Sequence, residues 1–90
     1  MTNKERYHLS QVAMLGCIIC GNIPEIHHVR HGMGLGQRNS NFNVIPLCHV
    51  HHRTGGFGVA FHAGKKTWQE NFGTELELLD KVNEKLRLAA

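Results

Sequence analysis

Two short chelating pairs stand out in the chain, Cys17-x-x-Cys20 and Cys48-x-x-His51. A two-residue gap lets both side chains of a tight knuckle reach one ion. Two knuckles together supply the four tetrahedral ligands of a closed zinc site. Three soft sulfurs and one imidazole, with no vacancy, describe a structural ion rather than a reacting one. The pairs use all three cysteines of the chain, an odd number that cannot close into a disulfide framework. Two other assignments are open on spacing alone: cysteines that are simply buried apolar residues, and His52 in place of His51 as the fourth ligand.

The chain has eight histidines, far more than one zinc site uses. His27 and His28 are adjacent, and neighbours on a strand point to opposite faces. They cannot ordinarily share an ion, so one is placed to hold metal and the other to move a proton. Imidazole titrates near about pH 6.5, which suits a general base. His52 follows the second knuckle directly, so zinc at His51 would hold it in place, turned back toward the strand that carries His27. His31 and His49 read as surface residues, and His8 as the surface of a helix.

These residues need elements to position them. Lys4 to Leu15 reads as a helix with Tyr7, Val12 and Leu15 inward, stopped by Gly16. Glu25–Arg30 and Asn43–Leu47 read as two strands, joined by a loop over residues 31–40 with glycines at 32, 34 and 36. The second strand runs into Cys48–Arg53, the start of a helix that Gly55-Gly56 should end. Gly64 to Asn71 reads as helical. Thr74-Glu75-Leu76-Glu77 fits a capping box, with Thr74 as N-cap and Glu77 reaching back. Leu76, Leu79, Val82 and Leu86 then lie at helical spacing along one inward face.

Ninety residues make one domain, 1–90, whose core is too small to be secure without a staple such as a metal. No apolar run approaches the roughly 20 residues of a membrane span, and no charged-then-apolar leader opens the chain. A cytoplasmic protein with reduced thiols and no membrane partner is expected. The formal charge of +3 and pI near 9.0 are compatible with a nucleic-acid partner without requiring one. Arg30, Arg38, Arg53, Lys65 and Lys66 surround the histidines and are the candidate DNA-backbone contacts.

The run Glu25-Ile26-His27-His28, followed by Asn43-Val44-Ile45-Pro46-Leu47-Cys48-His49-Val50-His51-His52, resembles the His-Asn-His (HNH, ββα-metal) endonucleases, in many of which a zinc knuckle pair braces the motif. The His-His pair before a glycine-rich loop, Pro46-Leu47-Cys48 leading to His51-His52-Arg53-Thr54-Gly55, and Phe61-His62-Ala63-Gly64 before Lys65-Lys66-Thr67-Trp68 are similar to the narrower group of phage recombination-enhancement nucleases (Ref-type, RecA-dependent). The resemblance implies an α+β fold, a small zinc-stapled ββα-metal unit with flanking helices. It also implies hydrolysis of DNA phosphodiester bonds, at single-stranded DNA or where a RecA-type recombinase filament has paired strands, in the host cytoplasm if the chain is phage-encoded.

By the same resemblance His28 is the general base, Asn43 the middle Asn that holds the loop and orients the base, and His27 and His52 are metal ligands. Thr54-Gly55-Gly56 interrupts the helix that would carry the third ligand, so the returning segment must supply it, and His62 is the candidate. Asn41 would share a strand face with Asn43 and is the other candidate for the Asn role. Three imidazoles suit zinc, manganese or nickel better than magnesium as the catalytic ion. The competing function is a zinc-stapled DNA-binding or adaptor module without catalysis.

Overall fold

Thr2 and Glu5 close a capping box on the first helix, α1 (Asn3–Met14): Glu5 N donates to Thr2 Oγ1 at 3.1 Å and Thr2 N donates to Glu5 Oε1 at 2.8 Å. Two of the free N–H groups at the helix start are satisfied in this way. The computed structural model describes residues 1–89. α1 ends before Gly16, whose φ of +77° brings it so close to the next turn that a Cβ there would meet Gly21 O at 2.7 Å. Val12 is buried and Leu15 half-buried as the sequence predicts, but Tyr7 is exposed. It lies on the outer side of a helix that buries Val12 alone.

Strands β1 (Glu25–His28) and β2 (Val44–Leu47) pair antiparallel, with Glu25 opposite Leu47, Ile26 opposite Pro46, His27 opposite Ile45 and His28 opposite Val44. β1 is two residues shorter than its apolar pattern predicts. Beyond it Val29 N still donates to Asn43 O at 3.0 Å. Every residue of β2 is buried, because α1 and α3 pack against it. The first knuckle docks on the same strand, with Ile18 N donating to Pro46 O at 2.9 Å.

After Cys48 the chain does not form an ordinary helix start. Val50–Thr54 is a single wide π-turn, closed by Gly55 N donating to Val50 O at 2.9 Å. Only glycine fits there: a Cβ would lie 2.5 Å from Val50 O and 2.7 Å from Val59 Cγ1. The returning segment makes a short 3-10 turn at Phe61–Ala63, then helix α2 (Lys65–Phe72) and helix α3 (Glu75–Ala89).

The box at α3 forms as expected, with Glu77 N donating to Thr74 Oγ1 at 3.1 Å and Thr74 N to Glu77 Oε1 at 2.9 Å. Its inward face differs by one residue from the predicted one. Glu75, Leu78 and Val82 are buried, Leu79 and Leu86 flank them half-buried, and Leu76 is exposed. The helix is rotated because a carboxylate, not a leucine, occupies its first inward position. Val12, Val29, Val44, Ile45, Leu47, Phe61, Trp68, Leu78 and Val82 form one continuous core. The whole is a small α+β fold, a two-stranded sheet with helices packed around it. No helix among the described residues is long and apolar enough to cross a membrane.

Candidate metal centres

The two knuckles converge. Cys17, Cys20, Cys48 and His51 bring one ligand atom each to within 4.8 Å of one another, a group that could hold a metal ion. Cys20 Sγ and Cys48 Sγ are 3.6 Å apart, and His51 Nδ1 lies 3.2 Å from Cys48 Sγ and 3.9 Å from Cys17 Sγ. Four donors at zinc's usual bond lengths would be separated by about 3.5–3.8 Å, so the spacing suits zinc. Electrostatics agree. Burial works to raise the Cys17 thiol, but the backbone N–H groups of Cys48, Cys20 and Ile19 outweigh it and bring it down. For Cys20 the backbone N–H of Asn22 works downward, and burial with the Cys48 and Cys17 sulfurs overcomes it and pushes the thiol up. Three sulfurs this close cannot all ionise without a cation among them.

His51 and His52 part company within the π-turn. His51 turns to the cysteines, its ring edge-on to Phe72 with centroids 5.4 Å apart, and its carbonyl accepts from Trp68 Nε1 at 3.0 Å. His52 turns the other way, into a second group with His27 and His62 that could also hold a metal ion. His27 Nδ1 and His52 Nε2 stand 3.2 Å apart, and His62 Nε2 is 3.0 Å from His52 Nε2. Three imidazole nitrogens bound to one ion would be separated by about 3.3 Å.

Outer carboxylates fix which nitrogens face inward. His27 Nε2 donates to Glu75 Oε2 at 2.7 Å, and His52 Nδ1 donates to Glu25 Oε1 at 2.9 Å. Each of these rings therefore points a lone pair, not a hydrogen, at the other. Two lone pairs 3.2 Å apart have no proton to share, and a cation between them resolves the conflict. This is the usual carboxylate–histidine–metal arrangement. Burial pushes the His27 pKa down against the pull of Glu75, which keeps the ring neutral and able to ligate. Burial and then His52 and His27 push His62 down as well. Unlike the first group, this one has three protein donors and an exposed member, His62, the arrangement of a site with an open position.

Glu75 is the residue that sequence reasoning missed. It is 1% exposed, yet burial's upward push on its pKa is outweighed by hydrogen bonds from His27 and from Arg30 N, so it stays a carboxylate. Arg30 N donates to Glu75 Oε2 at 2.7 Å, and Lys65 Nζ lies 3.6 Å from Oε1. Glu25, on sequence no more than the start of a strand, is the second outer carboxylate. Arg53, then His52, hold its pKa down at about 2.

His28 faces away from the three-histidine group, as strand alternation requires. Its Nε2 is 2.8 Å from Asn41 Oδ1. Asn43, the favoured Asn on sequence, makes no side-chain hydrogen bond to a histidine among the described residues. Its Nδ2 donates to Asn39 Oδ1 at 3.1 Å, which braces the loop. The turn at Ser40–Asn43, where Asn43 N bonds to Ser40 O at 3.0 Å, breaks the strand alternation that would put both asparagines on one face.

The five basic candidates divide. Arg53 is clamped by Glu25 with contacts of 2.7–3.1 Å, and Lys65 faces Glu75. Arg30 spends its guanidinium on the carbonyls of Gln37 and Gly34, folding the loop back on its own base. Arg38 and Lys66 are exposed and in no ion pair among the described residues.

Residues 1–88 match the model of a family described as protein of unknown function (DUF968), and the chain belongs to that family. Neither the curated proteins nor the solved structures contain a match.

Proposed function

We propose that this DUF968-family protein is a metal-dependent endonuclease of the His-Asn-His class that hydrolyses DNA phosphodiester bonds. On this reading β1, β2 and the π-turn Val50–Thr54 form the ββα-metal unit, with the cysteine-bound zinc as its staple. One observation supports it: three imidazoles that could hold an ion, with the next residue in sequence to one of them, His28, outside that group and hydrogen-bonded to Asn41 instead.

The chemistry follows from the chain's own groups. His28 donates its Nε2 hydrogen to Asn41 and keeps the Nδ1 lone pair. Nδ1 takes a proton from water as the water oxygen bonds to phosphorus in line with the leaving 3′ oxygen. The phosphorus–O3′ bond breaks, the 3′ oxygen is protonated from solvent, and the products are a 5′ phosphate and a 3′ hydroxyl. A divalent ion at His27, His52 and His62 would supply the positive charge that phosphoryl transfer needs. Zinc, manganese and nickel fit three neutral imidazoles better than magnesium. Glu75 and Glu25 hold the ligand rings in the competent tautomer, and Arg38 and Lys66 are the exposed cations for the DNA backbone.

The test is cleavage by metal-stripped and metal-restored protein, beside His28→Ala. Supercoiled plasmid, single-stranded DNA and strands paired by a RecA-type filament are the substrates. Metal-restored cutting that His28→Ala loses, with both ions still bound, is the expected result. No cutting of any substrate, with DNA binding retained and one ion per chain, would identify a zinc-stapled DNA-binding module instead.

A further inference from the structure

Glu5 does more than cap α1. Its Oε1 accepts the N–H of Thr2, and its Oε2 accepts from Asn41 Nδ2 at 2.8 Å, across 36 positions of chain. Asn41 Oδ1 in turn meets His28 Nε2 at 2.8 Å. A carboxylate can only accept hydrogen bonds. Asn41 must therefore turn its NH2 toward Glu5 and its oxygen toward His28. Opposite that oxygen His28 Nε2 must carry a hydrogen, which leaves the lone pair on Nδ1. The donor Thr2 N–H, and after it the Asn41 amide, hold the Glu5 carboxyl down at about 2, so at neutral pH it remains the accepting end of the relay.

We propose that Glu5 is a positioning residue: acting through the Asn41 amide, it selects the His28 tautomer that leaves Nδ1 as proton acceptor. The catalytic consequence rests on the nuclease reading, but the tautomer itself is measurable without any cleavage. The helix that precedes the metal sites thereby becomes part of the site, and a residue whose sequence signature is only that of a helix cap acquires a second task.

The hydrogen-bond pattern dictates an unusual variant set. In Glu5→Gln the introduced amide keeps its oxygen on Thr2 N, because glutamine also serves in a capping box. Its NH2 then faces Asn41 Nδ2, donor against donor. Asn41 must flip, its NH2 meets His28 Nε2, and the ring changes to the Nδ1–H tautomer. Glu5→Gln with Asn41→Asp reverses the relay's order of amide and carboxylate. The new carboxylate accepts from both the introduced glutamine and His28, so the Nε2–H tautomer returns. Asn41→Ala removes the relay while leaving the cap of α1 intact. Thr2→Ala removes the cap's hydroxyl and leaves the Glu5–Asn41 contact.

The measurement is ring nitrogen–proton correlation NMR on 15N-labelled, zinc-loaded full chain near pH 8, with His28 assigned by its loss in His28→Ala. Cleavage of supercoiled plasmid is followed in parallel. We expect Nε2–H in the native chain and Thr2→Ala, Nδ1–H in Glu5→Gln, a mixture in Asn41→Ala, and Nε2–H again in the double variant. The rate at saturating DNA should fall about 100-fold in Glu5→Gln, the scale of a lost general base, with little change in KM. It should recover in the double variant, whereas Thr2→Ala should lower only the melting temperature. A Glu5→Gln protein that keeps the Nε2–H tautomer and the native rate overturns the proposal. Tautomers that move as expected in a chain that cuts no DNA uphold the positioning role and refute the nuclease.

Discussion

Replacing Glu75 by alanine should lower the melting temperature more than replacing it by glutamine, for reasons that can be counted. Oε2 of Glu75 accepts from both His27 Nε2 and Arg30 N, each at 2.7 Å, at a side chain only 1% exposed. Alanine strands both donors away from water. Each unsatisfied donor costs about 1–3 kcal/mol, so the pair costs about 2–6 kcal/mol. A chain of this size has roughly 5–13 kcal/mol in total, and each kcal/mol moves the midpoint by roughly 4–8 °C. The expected drop is roughly 8–48 °C. Glutamine retains an oxygen for both donors but loses the charge that faces His27 and, at 3.6 Å, a half-exposed Lys65, and its NH2 takes the place of an Oε1 that is buried without a hydrogen-bond partner. Its cost should stay below that of alanine, because one group is left unsatisfied rather than two.

Metal binding should weaken in both variants. Removing the negative partner of His27 lowers the ring's basicity, and losses of this kind weaken metal affinity about 10- to 100-fold. Thermal denaturation followed by circular dichroism, with the cysteine site loaded, reads the first effect. Titration of a second equivalent of zinc or manganese reads the other. Alanine and glutamine variants that melt together would show that hydrogen bonding is not what Glu75 supplies, and an alanine variant as stable as the native chain would refute its structural role altogether.

Removing the cysteine-bound ion should unfold the chain, because binding energy there is folding energy. A chelator titration or Cys48→Ser should abolish cooperative melting, and an unchanged melting curve would refute the staple. Stability of the chain with the three-histidine group free of metal should fall with acid in two windows. His27 is pushed below the ordinary 6.5, so its share is present above about pH 6.5 and lost as pH falls through the lower folded value. Glu5 and Glu25, held at about 2 against an ordinary 4.5, contribute above 4.5 and lose their share as pH falls toward 2. Urea unfolding at a series of pH values checks both, and a flat profile between pH 7 and 3 would contradict them. For DNA, Arg38→Ala and Lys66→Ala should each reduce the slope of log affinity against log salt by about 0.9 for every phosphate no longer neutralised. Arg53→Ala should have a weaker effect, because Glu25 already holds its guanidinium.

What was legible in the sequence was what is local. Each knuckle is a pair of ligands three positions apart, so spacing alone fixes their reach, and His51 and Cys48 need no tertiary knowledge to be paired. Strand alternation separates His27 from His28 for the same reason. The carboxylates were hidden because their partners are distant in sequence: Glu75 reaches His27 across 48 positions and Asn41 reaches Glu5 across 36. Glu75 also stands in a capping box, where an acidic residue in the first turn has a sufficient explanation in the helix dipole. A periodic apolar pattern starting at Leu76 then outweighs it, although the helix is rotated to bury the charge. The π-turn was equally invisible. It depends on the closeness of Gly55 to Val50 O and Val59, which a glycine pair reports only as a helix end.

The π-turn explains how two groups that could each hold an ion are packed into so few residues. In an ordinary helix neighbouring side chains diverge by about 100°, and a closed site on one face leaves the next residue free to wander with the helix surface. Here His51 is fixed by the cysteines, by Phe72 and by the bond from Trp68 to its carbonyl, so the backbone that carries His52 has little freedom left. The second group inherits its order from the first: β1, which is paired to the knuckle-bearing β2, supplies His27, and the turn supplies His52. Phe61, 4.4 Å from the His27 ring and 5.2 Å from Trp68 by centroids, carries the same constraint to His62. An ion at the cysteines would therefore pre-organise three histidines that would otherwise have to be gathered at a cost in chain entropy. By linkage such coupling would be reciprocal: an ion bound among the histidines would tighten the cysteine site by the same factor, although it would touch none of the sulfurs.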